Sequence, residues 1–287
     1  MINSSTRLCC LIGHPVKHSV SPQMHNTAFK ELGLNYVYLA FDVKEEELED
    51  AVKGLRTLGV AGFNITIPHK IRIMQLLNKL DPSAERAGAV NTVVNREGIL
   101  WGYNTDVYGI VKSLERYQLP RHEQALVIGA GGAAKASIAA LIDLGFKKIV
   151  IANRTVEKAR ILAGWVESMG GSAEACSLEE GRRRAGGCGL IINATPIGMH
   201  PNVNGSPLTR EEIPGGAIIL DLVYNPLKTR LLEEAEEAGA RIIPGVEVLV
   251  HQGAEAFKLW TGRDPPIEVM KEAVLKALGV GTRDEGC

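Results

Sequence analysis

The chain has 287 residues, 45% hydrophobic and 23% charged, with 32 Lys and Arg set against 33 Asp and Glu. Cores rarely grow past roughly 250 residues, so this length predicts two domains of ordinary size. The even charge balance argues against nucleic-acid and membrane-surface partners, and no apolar run approaches the roughly 18 residues of a membrane span.

At the start, MINSSTRLCCLIGHP has none of the regions of a secretory signal. Cys9, Cys10, Cys176, Cys188 and Cys287 form an odd set without CxxC spacing. They read as reduced thiols, so a cytoplasmic protein is expected. RLCCLIG, YVYLAFDV, VAGFNITIP and VNTVV read as strands, with helices expected over PQMHNTAFKELG, EEELEDAVKGLRTLG and IRIMQLLNKL. From Gln124 a second series begins: ALVIGA, KKIVIA, GLIINAT, AIILDLV and ARIIPG alternate with helical patterns. Five such strands predict a doubly wound parallel sheet. After Gly245 two more helices follow with no strand to serve, and they are expected to return to the first domain. The expected fold is α/β: a discontinuous domain with a mostly parallel sheet, from residues 1–106 and 249–287, and a Rossmann-like domain over 107–248.

ALVIGAGGAAKASIAAL orders a strand, a glycine turn and a helix as a dinucleotide site requires. Gly129 permits the tight turn and Gly131 lets backbone approach a pyrophosphate. Gly132 and Ala133 open a helix whose first amides attract phosphate. About twenty residues beyond the first glycine an acid normally accepts the ribose hydroxyl of NAD. Here the chain reads Asn153, Arg154 and Thr155, with Lys158 a turn later. A carboxylate would repel a 2′-phosphate, whereas these cations attract it, so the expected cofactor is NADP.

In the first half, Ser21-Pro22 reads as a helix cap followed by proline. With Ser19 two residues earlier it makes an uncharged cradle for a carboxylate. Asn64 and Thr66 share one side of a strand. Lys70 stands at a turn into a helix, where the helix dipole gives it no support. Asn91 lies near a strand start, Asp106 before a helix that it could cap, and Gln252 on a late helix. His14, His18 and His25 are close in sequence, but the first two lie in a loop and no Cys or carboxylate joins them there, so no metal site is expected.

Together GHPVKHSVSPQMHN, NITIPHK, GAVNT, GYNTD, GAGGAAKA, NRT, NATPIGM, DLVYNPLKT and GVEVLVHQGAEAF resemble the shikimate dehydrogenase family, in unbroken order from about residue 8 to about 280. The resemblance implies NADPH-dependent, reversible reduction of 3-dehydroshikimate to shikimate in aromatic amino-acid synthesis. It also implies a substrate site in the first domain, a cofactor site in the second and a cleft between them. By position, Lys70 and Asp106 match the catalytic pair. Ser19 and Ser21 would hold the carboxylate. Thr66, Asn91, Asp106 and Gln252 would bind the ring hydroxyls, with Tyr224 closing the pocket. Gly129, Ala130, Gly131, Gly132, Ala133, Asn153, Arg154, Thr155, Lys158, Leu222 and Gly245 match the cofactor contacts.

Lys158 departs from the second arginine of some members, and His69 from the aromatic or small residue expected before the lysine. Two alternatives stay open: a quinate/shikimate dehydrogenase, and a non-catalytic NADP-binding regulator on the same fold. Partners are expected to be small molecules, and a homodimer is admitted but not required.

Overall fold

A computed structural model describes residues 2–121 and 123–279. The chain divides into two compact units, Met1–Thr105 with Val250–Cys287, and Asp106–Leu249. Cys287 lies outside the described residues. In order, the elements are β1 (Arg7–Gly13), α1 (Ser21–Glu31), β2 (Tyr36–Asp42), α2 (Leu48–Thr57), β3 (Gly62–Ile65), β4 (Lys79–Leu80), α3 (Pro82–Ala87), β5 (Thr92–Arg96) and β6 (Ile99–Tyr103). There follow α4 (Thr105–Leu114), β7 (Gln124–Ile128), α5 (Gly132–Asp143), β8 (Ile149–Asn153), α6 (Val156–Ser168), β9 (Ala173–Ser177), α7 (Leu178–Ala185) and β10 (Cys188–Asn193). The series closes with β11 (Ile218–Asp221), α8 (Arg230–Glu237), β12 (Arg241–Ile243), α9 (Gly245–Thr261) and α10 (Ile267–Ala277). The α/β class expected from the sequence is the one observed.

In the first unit the sheet order is β2-β1-β3-β5-β6-β4. β1 is parallel to β2 and β3, while β5 is antiparallel to both β3 and β6. Leu48, Val52 and Leu55 repeat at helical spacing on α2 and bury against Cys10, Ile12, Phe63 and Ile65 of the sheet. Gly62 is required by close approach: a Cβ there would collide with the Trp260 indole and the Val93 carbonyl. That indole crosses the strand and donates to the Val93 oxygen at 3.0 Å, so α9 sits on β3 and β5. α10 packs on α1.

One expectation fails here, and one strand goes unforeseen. IRIMQLLNKL forms only a 3₁₀ turn, Arg72–Leu76, and then turns into β4. Asn78 draws the chain out of the helix: its backbone N–H donates to the Leu100 carbonyl at 3.1 Å, and its side chain accepts from the Leu100 amide at 2.8 Å. The other miss is β6, which returns from β5 through Glu97 and Gly98, both left-handed (φ 54° and 85°). A two-residue turn of this kind matches strand twist and makes the hairpin antiparallel.

Among the described residues the second unit has six strands, not five, in order β12-β11-β10-β7-β8-β9, all parallel. Read outward from β7, this is the doubly wound order 3-2-1-4-5-6. The sequence reading passed over β9 because it is a short edge strand with its first and fourth residues buried. Ser177 ends it and caps α7, accepting from the Glu180 amide at 3.1 Å.

Candidate active site

Ligands of open parallel sheets lie beyond the carboxyl ends of the strands, so the loops there are the ones to build from. In the first unit the loop after β1 carries Ser19 and leads directly into α1, which begins at Ser21. Ser19 is half-buried, and its hydroxyl accepts from the Ser21 amide at 3.3 Å. Ser21 is not the cap that the sequence suggested. Val20 takes that position, and Ser21 and Pro22 are the first two residues of α1. The buried Ser21 side chain is thereby left for other partners, while Ser19 serves the helix start.

Thr66 follows β3, with its N–H bonded to the Ile12 carbonyl at 3.0 Å and its own carbonyl accepting from His69 N–H at 3.0 Å. His69 is fully buried, and its Nε2 pairs with the Val43 carbonyl at 2.7 Å. A carbonyl can only accept, so Nε2 is the donor in this contact. This contact gives His69 a structural task in the turn that presents Lys70. Lys70 is half-buried, and its carbonyl accepts from Val90 N–H at 2.8 Å, which ties the lysine turn to the residue before Asn91.

Asn91 is the hub of the unit. Its Oδ1 accepts from Thr105 N–H at 2.7 Å, and its Nδ2 reaches Thr105 Oγ1 at 3.0 Å and Gln252 Oε1 at 3.3 Å. Behind it, Asn64 Nδ2 donates to the Asn91 carbonyl at 3.2 Å and to Thr92 Oγ1 at 3.0 Å. Asn91 and Gln252, 161 residues apart, are thus brought together, and Thr105 with them. Sequence reasoning did not select Thr105 or Thr92. Their only signal was adjacency to Asp106 and Asn91. Asp106 is not a cap either: α4 starts at Thr105, which puts the half-buried carboxylate in the first turn, where the helix dipole favours it.

In the second unit Gly129 follows β7 with φ 121°, and a Cβ there would stand 2.8 Å from the Ala194 oxygen. Only glycine serves both demands. Ala130 links it to Gly131. Around Gly131 a Cβ would meet nothing within 4 Å, so backbone faces open space at the start of α5. No acidic residue occupies the first turn of α5, where Gly132 and Ala133 present their amides. At the end of β8, Asn153 Nδ2 donates to the Thr155 carbonyl at 2.9 Å. Thr155 holds the cap position of α6 without a side-chain capping bond. Arg154, Thr155 and Lys158 are all exposed.

The loops after β10 and β11 share one anchor. Asp221 is fully buried and accepts from Asn193 Nδ2 at 2.9 Å, Val223 N–H at 3.0 Å and Thr229 Oγ1 at 2.6 Å. Burial pushes its carboxyl up to about 6, against the pull of those three donors. Leu222 N–H bonds the Asn193 carbonyl at 3.0 Å, and Tyr224 follows half-buried, its phenol pushed up by desolvation. A Cβ on Gly245 would lie 2.6 Å from the Val223 oxygen, so this residue holds α9 against the same loop.

These features define the class: a dinucleotide-binding α/β protein, with a cationic strand end where NAD-users carry an acid and a cluster of Asn91, Gln252 and Thr105 in its other unit. Residues 11–93 match the shikimate dehydrogenase substrate binding domain, 113–210 the shikimate / quinate 5-dehydrogenase family, and 245–275 the shikimate 5'-dehydrogenase C-terminal domain. A shikimate dehydrogenase (NADP(+)) of Methanopyrus kandleri is 52% identical over 96% of this chain and 98% of its own length. One of Bacillus cereus is 47% identical over 94% and 98%. A Thermus thermophilus shikimate 5-dehydrogenase, solved with NADP(H) and shikimate, superposes with a TM-score of 0.85 at 39% identity, over 94% of this chain and 99% of that one. The chain belongs to the shikimate dehydrogenase family.

Proposed function

We propose that the chain reduces 3-dehydroshikimate to shikimate with NADPH, reversibly, with Lys70 and Asp106 as the proton-transfer pair. The observation that carries this is a conjunction in one chain. The Asn91–Thr105–Gln252 cluster suits a polyhydroxylated ring, and an open glycine turn leads to Arg154 instead of a carboxylate. The residues fit NADP: Gly129 to Ala133 would cradle the pyrophosphate, Arg154, Thr155 and Lys158 would hold the 2′-phosphate, and Leu222 and Gly245 would border the nicotinamide. Residues 107–248 are then the cofactor domain, and residues 1–106 with 249–287 the substrate domain.

When bound, the cofactor supplies a hydride to the ketone carbon. The chain's own groups manage the charge that develops on the oxygen. Lys70 places an ammonium there, stabilises the alkoxide and gives up a proton to it. General acid catalysis of this kind contributes roughly 10²–10⁴ in rate. Asp106 keeps the ammonium charged and oriented, because an opposite charge within about 4–6 Å favours ionisation. Ser19 and Ser21 hold the carboxylate, Thr66, Asn91 and Gln252 the ring hydroxyls, and Tyr224 covers the ring.

The protein mixed with shikimate and NADP should generate absorbance at the reduced-nicotinamide wavelength. Silence would refute the assignment. A quinate dehydrogenase of Corynebacterium glutamicum, solved with NAD, superposes at a TM-score of 0.88 but is 29% identical, over 94% of this chain and 99% of that one. Side-by-side rates with quinate and NAD separate that activity, which the cationic strand end disfavours. Cys9, Cys10, Cys176 and Cys188 are buried free thiols, in keeping with a cytoplasmic enzyme. No helix of the described residues is long and apolar enough to cross a membrane.

A further inference from the structure

Tyr38 is fully buried on β2, and nothing above gives its hydroxyl a task. Its ring stacks on His25, with centroids 4.5 Å apart and 19° between planes, and tilts against Trp260 at 5.9 Å. The hydroxyl lies 2.7 Å from Asn64 Oδ1, and the Ser21 side chain is a second polar neighbour. The direction of the Asn64 bond is fixed. Asn64 Nδ2 donates to the Asn91 carbonyl, which can only accept, so the amide oxygen faces Tyr38 and the phenol must donate.

From Asn64 the bonds continue outward. Nδ2 meets Thr92 Oγ1 at 3.0 Å, and Thr92 donates to Asn91 Oδ1 at 3.1 Å. Asn91 Nδ2 then reaches Gln252, which is half-buried. Tyr38 is the dry end of this chain of amides and hydroxyls. The His25 ring beside it carries no charge near neutrality, because burial pushes it down to about 3, so the phenol keeps an apolar seat.

We propose that Tyr38 is a positioning residue for the substrate: its hydroxyl orients the Asn64 amide and, through Asn64 and Thr92, the side chains of Asn91 and Gln252. This rests on the proposed task of Asn91 and Gln252 in binding ring hydroxyls. Without the phenol, Asn64 Oδ1 loses the hydroxyl that donates to it at 2.7 Å, and the amides must be ordered when substrate arrives, which weakens binding.

Tyr38→Phe removes the oxygen and keeps the ring. It should raise KM for shikimate by about fivefold, the scale of one net hydrogen bond, with kcat and KM for NADP within twofold of wild type. An unchanged shikimate KM, or both KM values rising together, overturns the proposal. Should Tyr38→Phe fold poorly, Asn64→Ala removes the acceptor instead, and shikimate KM should again rise. The double variant should then be no worse than the poorer single one, because both break the same bond, whereas effects that multiply overturn the proposal. The wild-type control separates the two claims. An inactive wild type removes the proposed activity and this inference with it, while an active wild type with an unaffected Tyr38→Phe removes only the role of Tyr38.

Discussion

Asn193 donates its side-chain amide to Asp221 at 2.9 Å, joining the carboxyl ends of β10 and β11 beneath the loops that hold Leu222 and Tyr224. Because Asp221 is fully buried, its ionised form is disfavoured, and its pKa rises from an ordinary 3.8 to about 6. The folded value exceeds the unfolded one, so the folded protein holds this proton more tightly. The stability that the protonated group contributes is complete below about pH 4 and is lost as pH rises through 6. Asp221→Asn keeps the shape and removes the titration. Over that window the melting temperature of wild type should fall relative to the variant, by the equivalent of about 3 kcal/mol. A pH-independent difference between the two would contradict the assignment.

Lys70 is proposed to act on charge that exists only in the transition state. Lys70→Ala should therefore lower kcat by about 10²–10⁴ while the shikimate KM stays within a few-fold. Steady-state kinetics in both directions check this, and near-wild-type turnover would show that the ammonium is not the acid.

Arg154 is exposed just past the end of β8 and is proposed to pair with a 2′-phosphate. Charged hydrogen bonds of this type contribute about 1.5–3 kcal/mol. Arg154→Ala should raise KM for NADP by at least about tenfold and leave KM for NAD nearly unchanged. Equal changes for the two cofactors would mean that this residue does not read the phosphate.

Gly62 leaves room for the Trp260 indole to reach the Val93 carbonyl at 3.0 Å. Gly62→Ala forces that ring away from the strand and should destabilise the fold by about 1–3 kcal/mol, as overpacked cores do. Urea unfolding followed by tryptophan fluorescence measures the loss. A variant as stable as wild type would show that α9 can move aside.

The alternation of apolar strands with amphipathic helices, the glycine turn ahead of α5 and the basic run after β8 were all legible from residues alone. Each is local: a period of two or 3.6, a backbone angle open to glycine, or the sign of a charge at a fixed distance along the chain. Local reading failed where a remote partner decided. IRIMQLLNKL carries a helical pattern, yet Asn78 pairs with Leu100 and takes the chain into a strand. Ser21 has the composition of a helix cap, yet it lies inside the helix, close to the Tyr38 phenol. The meeting of Asn91 with Gln252 spans 161 residues, and no spacing rule reaches so far. Sequence by itself determined the class of sheet and the choice of cofactor, because both follow from neighbours in the chain. Only tertiary structure decided which amides share hydrogen bonds and which carboxylate is kept from water, because solvent exclusion is set by elements packed from distant parts of the chain.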